Sequence, residues 1–227
     1  GYNVDNTRYH SLGNSKYGQS ASYGGSAYQN PDHTSGFNQQ YLATYRKSFG
    51  NHNFDVLAGY ESYDYRYENS YATGQNLYKD GDFTVNNTID QKRGGGSRSE
   101  YSTRGIIGRL NYDYAEKYLF QATVRRDGSS RLSNDGRWGW FPSASVGWRI
   151  DKESFFNVDP QLVSLLKLRA SYGVLGNENI GDYQFMATMA RGNYTYSFNG
   201  NKVTGSAISD YVNTAIKWEK KKTLDIG

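Results

Sequence analysis

The sequence has no cysteine, three prolines and two methionines in 227 residues. Without cysteine, disulfides and thiolate metal sites are excluded. No stretch approaches the roughly 18 apolar residues of a membrane-spanning helix, and mean hydropathy is low, −0.84. A low average does not speak against a membrane crossed by strands, which need apolar side chains only at alternate positions. A dominant charge is missing too. Interspersed along the chain, 26 Lys+Arg against 22 Asp+Glu leave +4, so nucleic acid is not an expected partner. The single RGGGSR run at Arg93–Arg98 reads as a flexible loop, not as an RNA contact.

Motifs for chemistry are equally sparse. His10, His33 and His52 fall in predicted loops or turns, too scattered for a metal signature. Lys79-Asp80-Gly81-Asp82 offers two carboxylates but lacks the further ligands and closing Glu of an EF-hand loop. There is no phosphate loop opening a helix, no GxSxG, and no support for a nucleophilic triad. No catalytic residue, metal or cofactor is expected.

Aromatics are abundant: 16% of the chain, 22 of them Tyr, alongside 26 Gly. They fall into a period of two, the signature of a strand with two different faces. From 118 to 127, Tyr118, Phe120, Ala122 and Val124 oppose Gln121, Thr123 and Arg125. From 138 to 150, Trp140, Pro142, Ala144, Val146, Trp148 and Ile150 oppose Ser143, Ser145, Gly147 and Arg149. From 166 to 175, Leu166, Leu168, Ala170, Tyr172 and Val174 oppose Lys167, Arg169, Ser171 and Gly173. A polar face of Ser, Gly, Thr and Arg, with aromatics near the strand ends, suits a transmembrane barrel: small polar groups inside, aromatic girdles at the headgroups.

Four further spans alternate in the same way: 39–49 (Tyr41, Ala43, Tyr45, Phe49), 53–66 (Phe54, Val56, Ala58, Tyr60), 103–114 (Ile106, Leu110, Tyr112, Tyr114) and 216–227 (Trp218, Leu224, Ile226). Connections at 50–52 and 115–117 are tight, and 151–165 could hold a short helix. Residues 67–102, 128–137 and 176–215 read as longer, polar loops, and 1–38 as another loop with strand character near Tyr2–Tyr9. Successive connections of an up-and-down sheet alternate between its ends, so 50–52, 115–117 and 151–165 share one end. The other three share the opposite end. Short turns on one rim and long loops on the other is the asymmetry of outer-membrane barrels. By parity Arg109, Arg125, Arg149 and Arg169 point away from the apolar face, into the lumen; an Arg facing lipid at midplane would cost roughly 2–4 kcal/mol.

Three ordered blocks carry a family resemblance: ATVRRDGSSRLSNDGRWGWFPSASVGWRI, LKLRASYGVLGNENIGDYQF and IKWEKKKTLDIG, spanning Ala122 to Gly227. They resemble SusC/RagA-type TonB-linked outer-membrane transporters. The resemblance implies that residues 1–227 are part of a β-barrel domain, without plug, signal peptide or final strand. It also implies a Gram-negative outer-membrane location and import of oligosaccharides or, less often, peptides. The implied partners are a SusD-like surface lipoprotein at the outer mouth, TonB acting through the plug, and the membrane lipid. The lumen arginines would then pair mainly with plug carboxylates.

The fold expected is all-β: a segment of an antiparallel up-and-down transmembrane barrel of seven or eight strands, open at both edges. Within the polar loops, Tyr194 and Tyr196 are the candidate ligand-binding residues, since aromatic faces stack on sugar C–H surfaces and phenols hydrogen-bond. Arg126-Asp127-Gly128-Ser129-Ser130-Arg131 reads as a strand end passing into a turn. Two other functions stay open: a TonB-dependent receptor for a siderophore or other metal complex, and a secreted, non-enzymatic glycan-binding β-sandwich.

Overall fold

Alternating side chains become paired strands wherever two runs of period two meet across a short turn. The computed structural model describes residues 1–82, 84–159, 161–208 and 212–227, and of 190–195 the backbone alone. Ten strands are described: β1 (Tyr2–Gly13), β2 (Ser26–Phe49), β3 (His52–Leu77), β4 (Thr88–Tyr114), β5 (Tyr118–Ser129), β6 (Trp138–Arg149), β7 (Lys167–Asn177), β8 (Met189–Phe198), β9 (Asn201–Ile208) and β10 (Glu219–Ile226). Eight of them form one sheet in the order β1-β2-β3-β4-β5-β6-β7-β10, with β1 and β10 as unpaired edges. The expected all-β, antiparallel sheet open at both edges is what forms. Among the described residues β8 and β9 pair with each other and not with the large sheet, so β7 and β10 become neighbours across a long excursion.

The expected loops shrink. Residues 1–38 hold β1 and the first part of β2, and 67–102 is mostly the ends of β3 and β4, with a connection confined to 78–87. Within 176–215 lies the β8–β9 hairpin. The expected helix at 151–165 is a single 3-10 turn, Ile150–Lys152. His10, His33 and His52 lie in strands, not loops. Trp218 precedes β10; its indole packs edge-on against Phe141 at 5.1 Å and donates to the Arg137 carbonyl at 2.9 Å.

Two compact units divide the chain. One comprises Gly1–Asn38 and Tyr63–Tyr101, the other Gln39–Ser62 and Ser102–Gly227. In the first, β1 pairs with β2 from Tyr2↔Phe37 to Gly13↔Ser26. Its 78–87 connection is organised by Asn87, whose amide bonds the Lys79 N–H at 3.0 Å and the Lys79 carbonyl at 2.6 Å. Asp80 and Asp82 are engaged locally: Asp80 accepts from the Ser15 hydroxyl at 2.5 Å. Asp82 accepts the Thr84 N–H at 2.9 Å and its hydroxyl at 2.8 Å, and the N–H bond above all holds its carboxyl below the ordinary range.

In the second unit the connections gather at two ends, as the alternation of an up-and-down sheet requires. At one end the Ala115 N–H donates to the Asn51 carbonyl at 2.7 Å and the Arg149 N–H to the Lys117 carbonyl at 2.8 Å. Glu153 ties this end together, accepting from Tyr118 Oη at 2.7 Å, Trp148 Nε1 at 3.0 Å and Lys117 Nζ at 3.2 Å. Tight reversal is possible because Gly50 takes a left-handed φ of 58°. At the other end, Ser133 Oγ donates to the Ile216 carbonyl at 3.1 Å and Arg131 Nε to Asp182 at 2.8 Å, around Leu132, which is 1% exposed.

Candidate functional site

The pairing register of β4 to β7 and β10 sorts side chains onto two faces. Leu110↔Ala122↔Ala144↔Tyr172↔Leu224 lie side by side, as do Tyr112↔Phe120↔Val146↔Ala170↔Ile226. Arg109↔Thr123↔Ser143↔Gly173↔Thr223 and Asn111↔Gln121↔Ser145↔Ser171↔Asp225 occupy the reverse side. Neither face is covered by a second sheet among the described residues. Among the described residues the buried hydrophobics are Ala27, Ile107, Leu132 and Phe141, whereas Tyr45, Phe120, Val146 and Leu168 stay open at 64%, 39%, 53% and 51%. A continuous open apolar face of this kind marks a surface that meets something other than water.

The four arginines singled out by parity lie on the polar face, in four different settings. Arg125 Nη2 reaches Glu61 at 2.9 Å and Asp127 at 3.2 Å, and its Nε reaches the second oxygen of Asp127 at 3.2 Å. Across the pairing it is flanked by Ile107 and Phe141, two of the few buried apolar residues. Arg149 grips Asp151 with Nε at 2.8 Å and Nη2 at 2.6 Å. This fork, assisted by the Leu166 N–H at 3.3 Å, lowers the Asp151 carboxyl to about 2. Arg169 and Asp225 face each other loosely at 3.8 Å, both more than half exposed. Arg109 Nε is enclosed and makes no hydrogen bond. The resemblance implied pairing mainly with plug carboxylates; Arg125, Arg149 and Arg169 have carboxylate partners within the chain.

A cavity of about 560 Å³ opens on this face. Asn53, Asp55, Asn111, Asp113, Gln121, Ser145, Lys167, Arg169 and Asp225 contribute polar groups to its wall. Asn53 Nδ2 donates to Asp113 at 3.0 Å, and Arg46 Nε to Asp55 at 2.5 Å. Such a wall can hold a polar surface with donors and acceptors of its own, and it offers no metal cage. Among the described residues no group of three or more His, Asp or Glu is placed to bind a metal ion.

The first unit contains a second polar hollow of about 760 Å³ that sequence reasoning missed. Asn6, Asp32, His33, Glu68, Asn69 and Arg98 are on its lining. His33 Nδ1 lies 2.6 Å from Asn6 Oδ1, and Asn69 Nδ2 donates to Asp32 at 2.5 Å. These strands carry polar residues on both faces, so no alternation in the sequence signals them.

Of the two candidate tyrosines, Tyr196 lies on β8, 59% exposed. Tyr194 belongs to the same strand, opposite Gly205, but its side chain lies outside the described residues.

The chain matches, over residues 1–227, the family model described as TonB dependent receptor-like, beta-barrel. It belongs to that family. TonB-dependent receptor P3 of Formosa agariphila is 35% identical over 219 residues, covering 91% of this chain and 21% of its own length. TonB-dependent receptor SusC of Bacteroides thetaiotaomicron is 36% identical over 190 residues, covering 81% and 18%. The structure of the RagAB peptide importer in its closed-closed state superposes with a TM-score of 0.86 at 24% identity, over 99% of this chain and 25% of that chain. That likeness speaks for the fold. This TonB-dependent receptor barrel chain therefore spans about a fifth of the length of the curated relatives it matches.

Proposed function

We propose that the chain is part of the barrel wall of a TonB-dependent importer in a Gram-negative outer membrane, without a catalytic role. The observation that carries this reading is the register. What supports the reading is that Val146, Phe120 and Leu110 share one uncovered face by register, with Arg109, Arg125 and the polar cavity on the reverse. A secreted sandwich would bury its apolar face against a second sheet; here that face stays open. Lipid solves the problem on the apolar side, and a plug supplied by the rest of a longer protein solves it on the polar side.

The cargo proposed is an oligosaccharide or a peptide, taken up with a SusD-like lipoprotein at the outer mouth and with TonB as the source of force. The likeness to SusC, and a fold shared with the RagAB peptide importer, favour this reading over a siderophore receptor. The polar wall, with amides, carboxylates and guanidinium groups, fits a hydrogen-bonding cargo or plug.

Two neighbouring substitutions in the full-length protein test the wall. Val146→Arg puts a charge on the lipid face, at a cost of about 2–4 kcal/mol near midplane, and should reduce the heat-modifiable, assembled band on a gel. Ser145→Arg points to the other face and should assemble near the wild-type level. Equal assembly of both variants would overturn the two-faced membrane wall.

A further inference from the structure

Among the cations on the apolar face, Arg126 is one that the barrel reading leaves without a task. Arg126 pairs in register with Ile106 on one side and Trp140 on the other, so it projects among lipid-facing residues. It is exposed, and its guanidinium lies against two rings. Its guanidinium lies 5.0 Å from the Trp138 ring and 5.5 Å from the Trp140 ring. The nearer ring belongs to Trp138, whose cross-strand partner is Gly128. The guanidinium therefore leans toward the loop end of the strand, as a long cationic side chain does when it seeks the membrane surface.

Gly128 makes this arrangement possible. A Cβ there would come within 2.8–2.9 Å of the Trp138 ring, so only glycine lets the indole lie across β5 beside Arg126. Arg104, paired with Gly128, adds a second cation on the same face one strand over.

Height along the strand fits a headgroup. Tyr118 and Trp148, paired at the turn end, mark one girdle, and Arg126 with Trp140 lies eight residues along. At about 3.4 Å per residue and a tilt of about 40°, that is roughly 20 Å of height, close to the roughly 25 Å apolar band. Lipid at this level presents phosphate, and a planar guanidinium pairs with phosphate through two parallel hydrogen bonds.

We propose that Arg126, held between Trp138 and Trp140, binds a phosphate group of a lipid in the leaflet facing the loop end. This rests on the membrane-wall reading. Arg126→Gln removes the charge, and Trp138→Leu removes the ring that positions it. The test uses the full-length transporter in neutral detergent, titrated with phosphatidylglycerol or with diacylglycerol of the same chains and observed by native mass spectrometry. Wild type should retain phosphatidylglycerol at least tenfold more tightly than either variant. Diacylglycerol should bind all three alike, and millimolar inorganic phosphate should not displace the lipid.

Equal retention of phosphatidylglycerol by wild type and both variants would overturn the proposal. So would equal retention of both lipids by wild type, or displacement by inorganic phosphate. Heat-modifiable mobility of each sample reports assembly separately, so a failure of the wall reading shows there and not in lipid retention. Should Arg126→Gln not assemble, Trp138→Leu decides: a loss of several-fold or more supports the site, and unchanged retention sinks it.

Discussion

At the residue scale, charge placement follows local partners more than position on a face. Arg149 and Asp151 flank Ile150 at the end of β6, and their fork turns the chain into the following connection. The Asp151 carboxyl is depressed to about 2 from an unfolded value near 3.9. Its contribution is therefore fully present above about pH 4 and is lost as pH falls through about 2. Exchange of the Leu166 amide should be faster in Asp151→Asn than in wild type at pH 5, and the two should converge below about pH 2. A difference that persists unchanged at pH 1.5 would contradict the linkage. At the opposite end, Leu132 is almost fully enclosed in a unit with little core. Leu132→Ala should cost about 2–5 kcal/mol, which appears as a rise of about 30-fold or more in tryptic cleavage at Arg131 or Arg137 if cleavage follows local opening. Unaltered cleavage would mean that Leu132 does not hold the loop.

Scale up to the elements, and the strands that face two solvents were the legible ones. β5, β6 and β7 announce themselves through Phe120, Val146 and Leu168 alternating with Thr123, Ser145 and Arg169, because each face has a different partner. Strand character was read near Tyr2–Tyr9, where β1 lies, but the first part of β2 and the outer parts of β3 and β4 were hidden, since stretches such as QKRGGGSRS place polar groups on both faces and leave no period to read. The β8–β9 hairpin went unread although YTYSF and KVTGSA alternate on either side of an Asn199-Gly200 turn, both turn residues left-handed. Parity nonetheless placed the connections correctly in the second unit, where 50–52, 115–117 and 150–153 are joined by the Ala115–Asn51 and Arg149–Lys117 bonds. The polar face was legible as a set of positions, but not the pairing of Arg125 with Glu61, which depends on a strand 64 residues away. If the long connections face outward, Asn199→Cys at the β8–β9 tip in the full-length protein on intact cells should react with an impermeant thiol reagent. Asn51→Cys in the β2–β3 turn should react only after lysis. Labelling of both on intact cells would refute the orientation.

For the whole molecule, the division of labour follows from which surfaces touch what. If, as proposed, the apolar side meets lipid alone, it cannot choose a cargo, and selection would fall to the polar face and to the long excursions between strands. The excursion between β7 and β10 is the largest within the second unit, and it presents Tyr196 openly on β8, with Tyr194 two residues before it on the same strand. Aromatic rings stacked on a sugar or peptide contribute on the order of 1 kcal/mol each. Replacing Tyr194 and Tyr196 together with Ala in the full-length transporter should therefore weaken capture by about 2 kcal/mol, a factor of roughly 30 in affinity. Because the hairpin pairs with no strand of the large sheet, the same change should leave the assembled, heat-modifiable band at its wild-type level. The measurement is uptake of labelled oligosaccharide or peptide per assembled barrel, at cargo concentrations below saturation. Unchanged uptake would remove the hairpin from cargo capture and shift the search to the polar cavity beside Arg169. Reduced uptake with reduced assembly would instead show that the hairpin serves the wall, and the separation between wall and selector drawn from the sheet order would fall.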